Sequence, residues 1–137
     1  MNKLRVYYSL SIIMTIIIGI SSRVFETGNP VFDKYLGDAL YAILIYLLLG
    51  FLWDEIRPII KLIISTIVVL MIEIFQISGI PLQLSQSDNI LLRIISILIG
   101  TEFSFYDIYA YIIGLVIMYL LDVWFRARSE TILSDTA

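Results

Sequence analysis

Four long runs of apolar residues constrain this chain more than any other feature. They occupy residues 6–22, 36–53, 59–78 and 103–125. Each is close to the roughly 20 residues that an α-helix needs to cross the hydrocarbon core of a bilayer. Because lipid offers the backbone no hydrogen-bond partner, such runs are expected to be helical. The sequence therefore predicts an all-α protein, a polytopic membrane helix bundle with four transmembrane helices.

Composition agrees with this class and excludes several kinds of site. Of the 137 residues, 60% are apolar, whereas roughly 45–50% is usual in soluble domains. The chain has no cysteine and no histidine, which removes disulfides, thiol nucleophiles, Ser-His-Asp triads and ordinary zinc sites. We expect no cofactor and no metal. The net charge of −3, without a basic patch, gives no reason to expect nucleic acid as a partner.

The chain is expected to form one transmembrane domain, residues 1–128, and a polar cytoplasmic tail, residues 129–137, predicted to be disordered. The first apolar run has an alternative interpretation as a signal peptide, with Gly19-Ile20-Ser21 as its cleavage site. A transmembrane helix is preferred, because the run is at the long limit of the roughly 7–15 residues typical of a signal peptide. Turn residues predict loops over residues 22–35 and 82–88.

Residues 89–100 are apolar but only about half as long as a span, at about 1.5 Å per helical residue. They predict an interfacial or re-entrant half-helix, capped by Ser87 or Asp88. Whether this segment spans the membrane stays open. Its polar residues are expected to form one inward-facing stripe, composed of Asn89, Arg93, Ser96 and Gly100.

The cations suggest an orientation. With four spans, two thirds of the nine cations fall on one side, namely Lys3, Arg5, Arg57, Lys61, Arg126 and Arg128. Because lysine and arginine are enriched on the cytoplasmic side, we expect a bacterial cytoplasmic (inner) membrane protein with both termini in the cytoplasm. Lys61 is expected to reach the near interface along its flexible stem. The cytoplasmic halves of the spans are expected to be dry.

Glu73 and Gln76 are the most informative polar residues, because they lie one turn apart near the end of an apolar run. A charge in such a run is expensive and suggests a functional site. The helix dipole at this end disfavours an anion, so Glu73 is not a cap. It either pairs with Arg23 or Arg93 and holds the bundle together, or it contacts a ligand.

Other polar residues are expected at the same, outer end of the bundle. Asp38 and Asp107 open the second and fourth spans, where each is either a helix cap or a ligand contact. Tyr41 and Tyr111 lie one turn after them. The candidate ligand-binding residues are therefore Glu73, Gln76, Arg93, Asp107, Asp38, Arg23, Tyr111 and Tyr41. No catalytic residue is assigned.

Taken together, these motifs resemble those of a family of small, uncharacterised bacterial membrane proteins labelled YjgA-like. The matching residues are Ser22-Arg23, residues 35–42, 73–76, Arg93, Gly100, residues 103–107, Tyr111 and Gly114. A more distant resemblance is to the VanZ-like family, through the Glu-x-x-Gln of Glu73 and Gln76, the following Arg93, and Asp107 ahead of Gly114. The VanZ-like resemblance implies a role in the cell envelope and in glycopeptide resistance.

Four functions stay open. The first is an envelope protein that binds a polar or lipid-linked ligand, such as a lipid-linked precursor or membrane lipid, in an outer-leaflet pocket. The second is a small transporter or proton-coupled carrier that uses Glu73. The third is a structural or assembly subunit, acting as a homo-oligomer or with a membrane-protein partner. An enzyme with Glu73 and Asp107 as its carboxylates ranks last, since the sequence has no phosphotransferase or protease motif.

Overall fold

A computed structural model describes residues 3–25 and 27–135, and the helices within these ranges follow the apolar runs. In chain order they are α1 (Lys3–Val24), α2 (Pro30–Leu52), α3 (Pro58–Ile77), α4 (Ile80–Ser85), α5 (Ile90–Ile99) and α6 (Phe105–Asp135). Helices α1, α2, α3 and α6 are each long and apolar enough to cross a membrane. Helix α5 is apolar but has only 10 residues. The predicted fold class, four transmembrane helices with a shorter apolar helix, is confirmed.

The four long helices run alternately up and down, so the bundle has two distinct ends. At one end α1 and α3 begin and α2 finishes; because Lys61 lies there, we call it the Lys61 end. At the other, the Glu73 end, α2 and α6 begin, and the short helices α4 and α5 connect α3 to α6. Helix α2 packs against α1, α3 and α6, and α6 also packs against α3.

Helices α2 and α6 approach each other closely at Gly114. A Cβ atom added at Gly114 would lie 2.5 Å from the carbonyl oxygen of Ala39, which is far inside van der Waals contact. Ala110, one turn earlier on α6, is also buried. Small residues one turn apart on a helix allow a second helix to pack closely against it, as Ala110 and Gly114 do here. The contact fixes the distance between the elements that carry Asp38 and Tyr111.

Helix α2 begins at Pro30, earlier than the predicted residue 36. Proline suits the first turn of a helix, where its missing N–H costs no hydrogen bond. Asp33 stabilises this start by accepting hydrogen bonds from the backbone N–H and the hydroxyl of Thr27, at 2.9 and 2.7 Å. Asp38 consequently lies two turns inside α2, and its interpretation as a helix cap is wrong.

Three other local predictions are also wrong. Residues 82–85 of the predicted loop belong to α4, because Gly79, at φ +71°, turns the chain and lets a new helix begin beside Pro81. The cap of α5 is Asn89, whose side chain accepts a hydrogen bond from the N–H of Leu91 at 2.9 Å. Helix α6 continues to Asp135 through most of the predicted disordered tail, since neither glycine nor proline follows Gly114.

Candidate functional site

Most of the predicted ligand-binding residues surround one cavity at the Glu73 end, with a volume of about 230 Å³. We call it the acidic pocket. Helices α2, α3 and α6 form three sides, and the end of α5 with the following loop forms the fourth. The lining residues are Lys34, Asp38, Tyr41, Gln76, Ile97, Leu98, Ile99, Gly100, Thr101, Glu102, Asp107 and Tyr111.

Gln76 joins α5 to α3 and so closes one wall of the pocket. Its side-chain nitrogen donates a hydrogen bond to the carbonyl oxygen of Ile99 at 2.7 Å. Gly100 follows with φ +87° and ψ 152°, a conformation almost restricted to glycine. A Cβ atom there would lie 2.8 Å from the Gln76 nitrogen. The wall therefore requires both the amide of Gln76 and the absence of a side chain at residue 100.

Carboxylates outnumber cations in the pocket. Asp38, Glu102 and Asp107 line it together with a single described cation, Lys34. The Lys34 ammonium lies 3.4 Å from Asp107 Oδ1; the Lys34 side chain is 51% exposed, whereas that of Asp107 is only 6% exposed. Lys34 thus reaches in from the mouth toward a buried carboxylate. An ammonium in this position offsets part of the negative charge of the pocket.

Several buried oxygen atoms at the inner wall have no hydrogen-bond partner. They are Gln76 Oε1, Asp107 Oδ1 and both carboxylate oxygens of Glu73. Asp107 Oδ1 has the ion pair with Lys34 at 3.4 Å, and the Tyr111 side chain lies beside the Glu73 carboxylate. Glu73 is 2% exposed and lies one turn deeper on α3 than Gln76, facing Tyr111. Buried polar atoms are nearly always satisfied, so each exception needs an explanation. The described residues contain no group of three potential ligands arranged to hold a metal ion.

The structure brings together six of the eight residues predicted to bind a ligand. Gln76, Asp107, Asp38, Tyr111 and Tyr41 line the pocket, and Glu73 lies just beneath it. The side chain of Arg23 lies outside the described residues.

Arg93 is exposed and does not line the pocket. It forms no ion pair with Glu73, so the predicted pairing of these two residues is absent. The predicted inward stripe of α5 holds only at Ser96 and Gly100, because Asn89 and Arg93 belong to the end of α5 that turns outward.

A second polar cluster, at the Lys61 end, was missed. Lys61 is fully buried and donates to Asp122 Oδ2 at 2.5 Å and to the hydroxyl of Tyr8. Tyr8 and Tyr46 donate to the two Asp122 oxygens at 2.7 and 2.8 Å. Lys61 therefore does not extend to the interface, and this half of the bundle is not dry. The cluster could have been predicted from the sequence, because Lys61 and Asp122 lie at the same depth in two apolar spans.

Arg126 completes this cluster, which we call the Lys61 cluster. Its guanidinium donates to the Tyr8 hydroxyl at 3.0 Å and to the carbonyl oxygen of Asp54 at 2.6 Å. Its Nε atom lies 3.3 Å from Asp122 Oδ1. Each Asp122 oxygen thus has two partners, and the four partner side chains come from α1, α2, α3 and α6. In contrast with the acidic pocket, the cluster leaves the Lys61 and Asp122 side chains fully paired.

The four spans and the polar groups enclosed between them define a multi-pass membrane protein. Residues 28–115, well over half of the chain, match the family model described as "Protein of unknown function (DUF2809)". The chain belongs to this family.

The matched segment contains the whole acidic pocket but ends before Asp122. No curated protein and no solved structure matches the chain. The expectation of an uncharacterised family is confirmed, but neither the YjgA-like nor the VanZ-like name is supported.

Proposed function

We propose that this membrane protein binds an amphipathic ligand with a cationic head group, held in the acidic pocket. The observation that carries the proposal is the buried acceptor set of Gln76, Asp107 and Glu73, for which the described lining supplies one half-exposed cation, Lys34. A ligand ammonium offers up to three N–H donors, as many as there are side chains in this acceptor set. Hydrogen bonds between charged groups are shorter and stronger than neutral ones. No catalytic role is proposed.

The excess of carboxylates over cations in the pocket supports a cationic rather than an anionic head group. Lys34 already places an ammonium 3.4 Å from Asp107. Because Lys34 is half-exposed and flexible, a ligand ammonium can replace it without unfolding any element. In this proposal Lys34 competes with the ligand, and its removal favours binding.

An apolar groove next to the pocket supports a ligand that also carries a hydrocarbon chain. This groove has a volume of about 440 Å³, lies along α1 and α2, and shares Tyr41 and Leu98 with the acidic pocket. A head group in the pocket can therefore continue into a chain that lies in the groove. We place this site in the outer leaflet of a bacterial inner membrane, following the distribution of cations.

Octylamine is expected to stabilise the purified protein against thermal unfolding more than octanol does, and octanoate is expected to have the weakest effect. The three probes share a chain length and differ in charge, so differences report the head group. Asp107→Asn and Glu73→Gln should weaken octylamine binding roughly 10–100-fold, since charge-assisted hydrogen bonds contribute about 1.5–3 kcal/mol. Lys34→Gln should strengthen it. The measurement is the midpoint of unfolding as a function of probe concentration.

Asp88→Asn is the matched control, because Asp88 is an exposed carboxylate at the same end that does not line the pocket. It should leave the octylamine effect unchanged. Equal stabilisation by octanol and octylamine would contradict the proposal, as would a stronger effect of octanoate. Full retention of octylamine binding in both carboxylate variants would contradict it too.

A proton-coupled carrier is the second candidate, favoured by the buried face of α3. Along this face lie Lys61, Ser65, Val69, Glu73 and Gln76. Ser65 is fully buried, and its hydroxyl has no hydrogen-bond partner. Polar groups therefore extend from one end of α3 to the other, interrupted at Val69. A carrier needs polar groups in both halves of the bundle, and this face of α3 has them, although the cytoplasmic halves of the spans were expected to be dry.

If the carrier proposal is right, proteoliposomes loaded with a pH-sensitive dye should show proton flux that Glu73→Gln abolishes. Ser65→Ala should slow it, since the path loses its middle hydroxyl. Thr66→Val is the control, because the Thr66 hydroxyl already donates to the carbonyl oxygen of Leu62 at 2.8 Å. Flux no greater than that of empty liposomes would contradict transport and leave the binding proposal to the octylamine measurements.

A structural or assembly subunit is less favoured. Polar groups that only lock a bundle should satisfy one another, as those of the Lys61 cluster do. Those of the acidic pocket do not. We therefore assign the locking role to the Lys61 cluster and ligand binding to the acidic pocket.

A further inference from the structure

A large apolar groove lies on the surface of the bundle between α1 and α6, with α2 as its floor. Its volume is about 570 Å³. The lining residues are Lys3, Val6, Tyr7, Leu10, Ser11, Met14, Thr15, Ile18, Leu40, Ile43, Leu47, Ile117, Met118, Leu121, Trp124 and Phe125. At the Lys61 end, the rings of Tyr7 and Phe125 stack at 4.0 Å between centroids and join the two helices. We call this the α1/α6 groove.

Cations flank the groove at the Lys61 end. A smaller cavity of about 370 Å³ shares Lys3, Trp124 and Phe125 with the groove and adds Arg128 and Ser129. The Arg128 guanidinium lies 5.3 Å from the centroid of the Trp124 ring. Tryptophan is enriched at the depth where lipid head groups meet the hydrocarbon core. Lys3 and Arg128 thus lie at head-group depth, next to the end of the apolar α1/α6 groove.

Three other cations at this end already have partners. Arg5 lies 3.4 Å from Asp54, and Lys61 and Arg126 pair with Asp122. Among the described side chains, no carboxylate forms an ion pair with Lys3 or Arg128. Both are exposed. Their charge is therefore available to an anion that arrives from the membrane.

We propose that the α1/α6 groove is a binding site for an anionic phospholipid. One acyl chain lies in the groove, and the phosphate contacts Lys3 and Arg128. Lysine binds phosphate as a point charge, and arginine can donate two hydrogen bonds to it. This site is separate from the acidic pocket in position and in charge, since it lies at the opposite end and selects the opposite sign.

Quenching of tryptophan fluorescence by brominated acyl chains tests the proposal. The chain has two tryptophans, and both Trp124 and Trp53 are more than half exposed. Trp53→Phe leaves Trp124 as the reporter of the groove. Trp124→Phe leaves Trp53, which follows the last residue of α2 at the same end but lies outside the groove. The protein is reconstituted with small, equal mole fractions of brominated phosphatidylglycerol or brominated phosphatidylcholine.

Trp124 should be quenched several-fold more efficiently by brominated phosphatidylglycerol than by brominated phosphatidylcholine, and Trp53 should respond equally to both. Lys3→Ala with Arg128→Ala should remove the preference at Trp124. Arg57→Ala, an exposed cation at the same end, should leave it intact. Raised salt should weaken it as well.

Three results would overturn the proposal. The first is equal quenching of Trp124 by the two lipids, and the second is a phosphatidylglycerol preference that is as strong at Trp53. The third is no quenching of Trp124 by either lipid, which would mean that a second copy of the chain covers the groove. Each is measured on the folded full-length chain and is independent of the octylamine experiment.

Discussion

Asp122→Leu is expected to lower the free energy of unfolding by about 3–5 kcal/mol, the usual cost of removing one partner of a buried ion pair. Lys61 is fully buried beside Asp122, so the substitution leaves its ammonium with only the Tyr8 hydroxyl as an acceptor. Tyr46 also loses its carboxylate acceptor. The measurement is denaturant-induced unfolding in mixed micelles, followed by circular dichroism.

Two controls separate the effect of a buried charge from a general loss of contacts. Replacing both partners, with Lys61→Met and Asp122→Leu, should cost clearly less than Asp122→Leu alone, because no ammonium is left buried at residue 61. Arg5→Ala should cost less than about 1 kcal/mol, since the Arg5 side chain in the Arg5–Asp54 pair is half-exposed. A cost for Asp122→Leu as small as that of Arg5→Ala would show that water reaches the cluster.

The sequence was sufficient to predict the number of spans because lipid leaves the backbone few alternatives to a helix. Element boundaries were less predictable. Pro30 was interpreted as part of a turn, but proline also begins helices, and the side chain of Asp33 decided between these possibilities by bonding to Thr27. Gly79 likewise ends α3, yet the chain resumes a helix one residue later.

The acidic pocket was largely predictable from residues that begin or end spans on one side. Asp38, Glu73 and Asp107 share that side, and antiparallel helices bring them together. The Lys61 cluster was not predicted, because a lysine near a helix start is normally assumed to reach water. In the bundle, Tyr8 and Tyr46 meet it from two other helices. Such a convergence depends on how the helices are rotated, which the sequence does not specify.

Arg93 is the opposite case, a residue that was predicted to face inward but lies on the surface. Its spacing from Ser96 predicted that both would face inward, but α5 is only 10 residues long. Ser96 is buried while Arg93 remains exposed. Gln76 fixes the far end of α5 through Ile99, and the nearer end has no such contact with α3. A short helix attached at one end can thus leave part of a predicted polar face outside the core.

Gly114→Ala is expected to lower the free energy of unfolding by about 1–3 kcal/mol, the range typical of overpacking. The added methyl group would lie 2.5 Å from the Ala39 carbonyl oxygen and 3.1 Å from its Cα atom. Both are backbone atoms, so no side-chain rotation relieves the contact and α2 must move away from α6. Because Asp38 and Tyr111 lie close by on these helices, the same movement should widen the acidic pocket and weaken octylamine binding. Unfolding and octylamine titrations measure the two effects on one sample.

Gly19→Ala is the matched control, since Gly19 is also inside a span and its added methyl group would lie 4.0 Å from the nearest atom, in Leu40. Alanine favours helix by up to about 1 kcal/mol relative to glycine, so Gly19→Ala should be neutral or stabilising. Opposite signs for the two substitutions would show that the close α2–α6 contact, rather than the helix propensity of glycine, sets the cost at residue 114. Equal effects would mean that α2 and α6 can separate freely in the membrane. The acidic pocket would then lack the fixed wall on which selective binding of a cation depends.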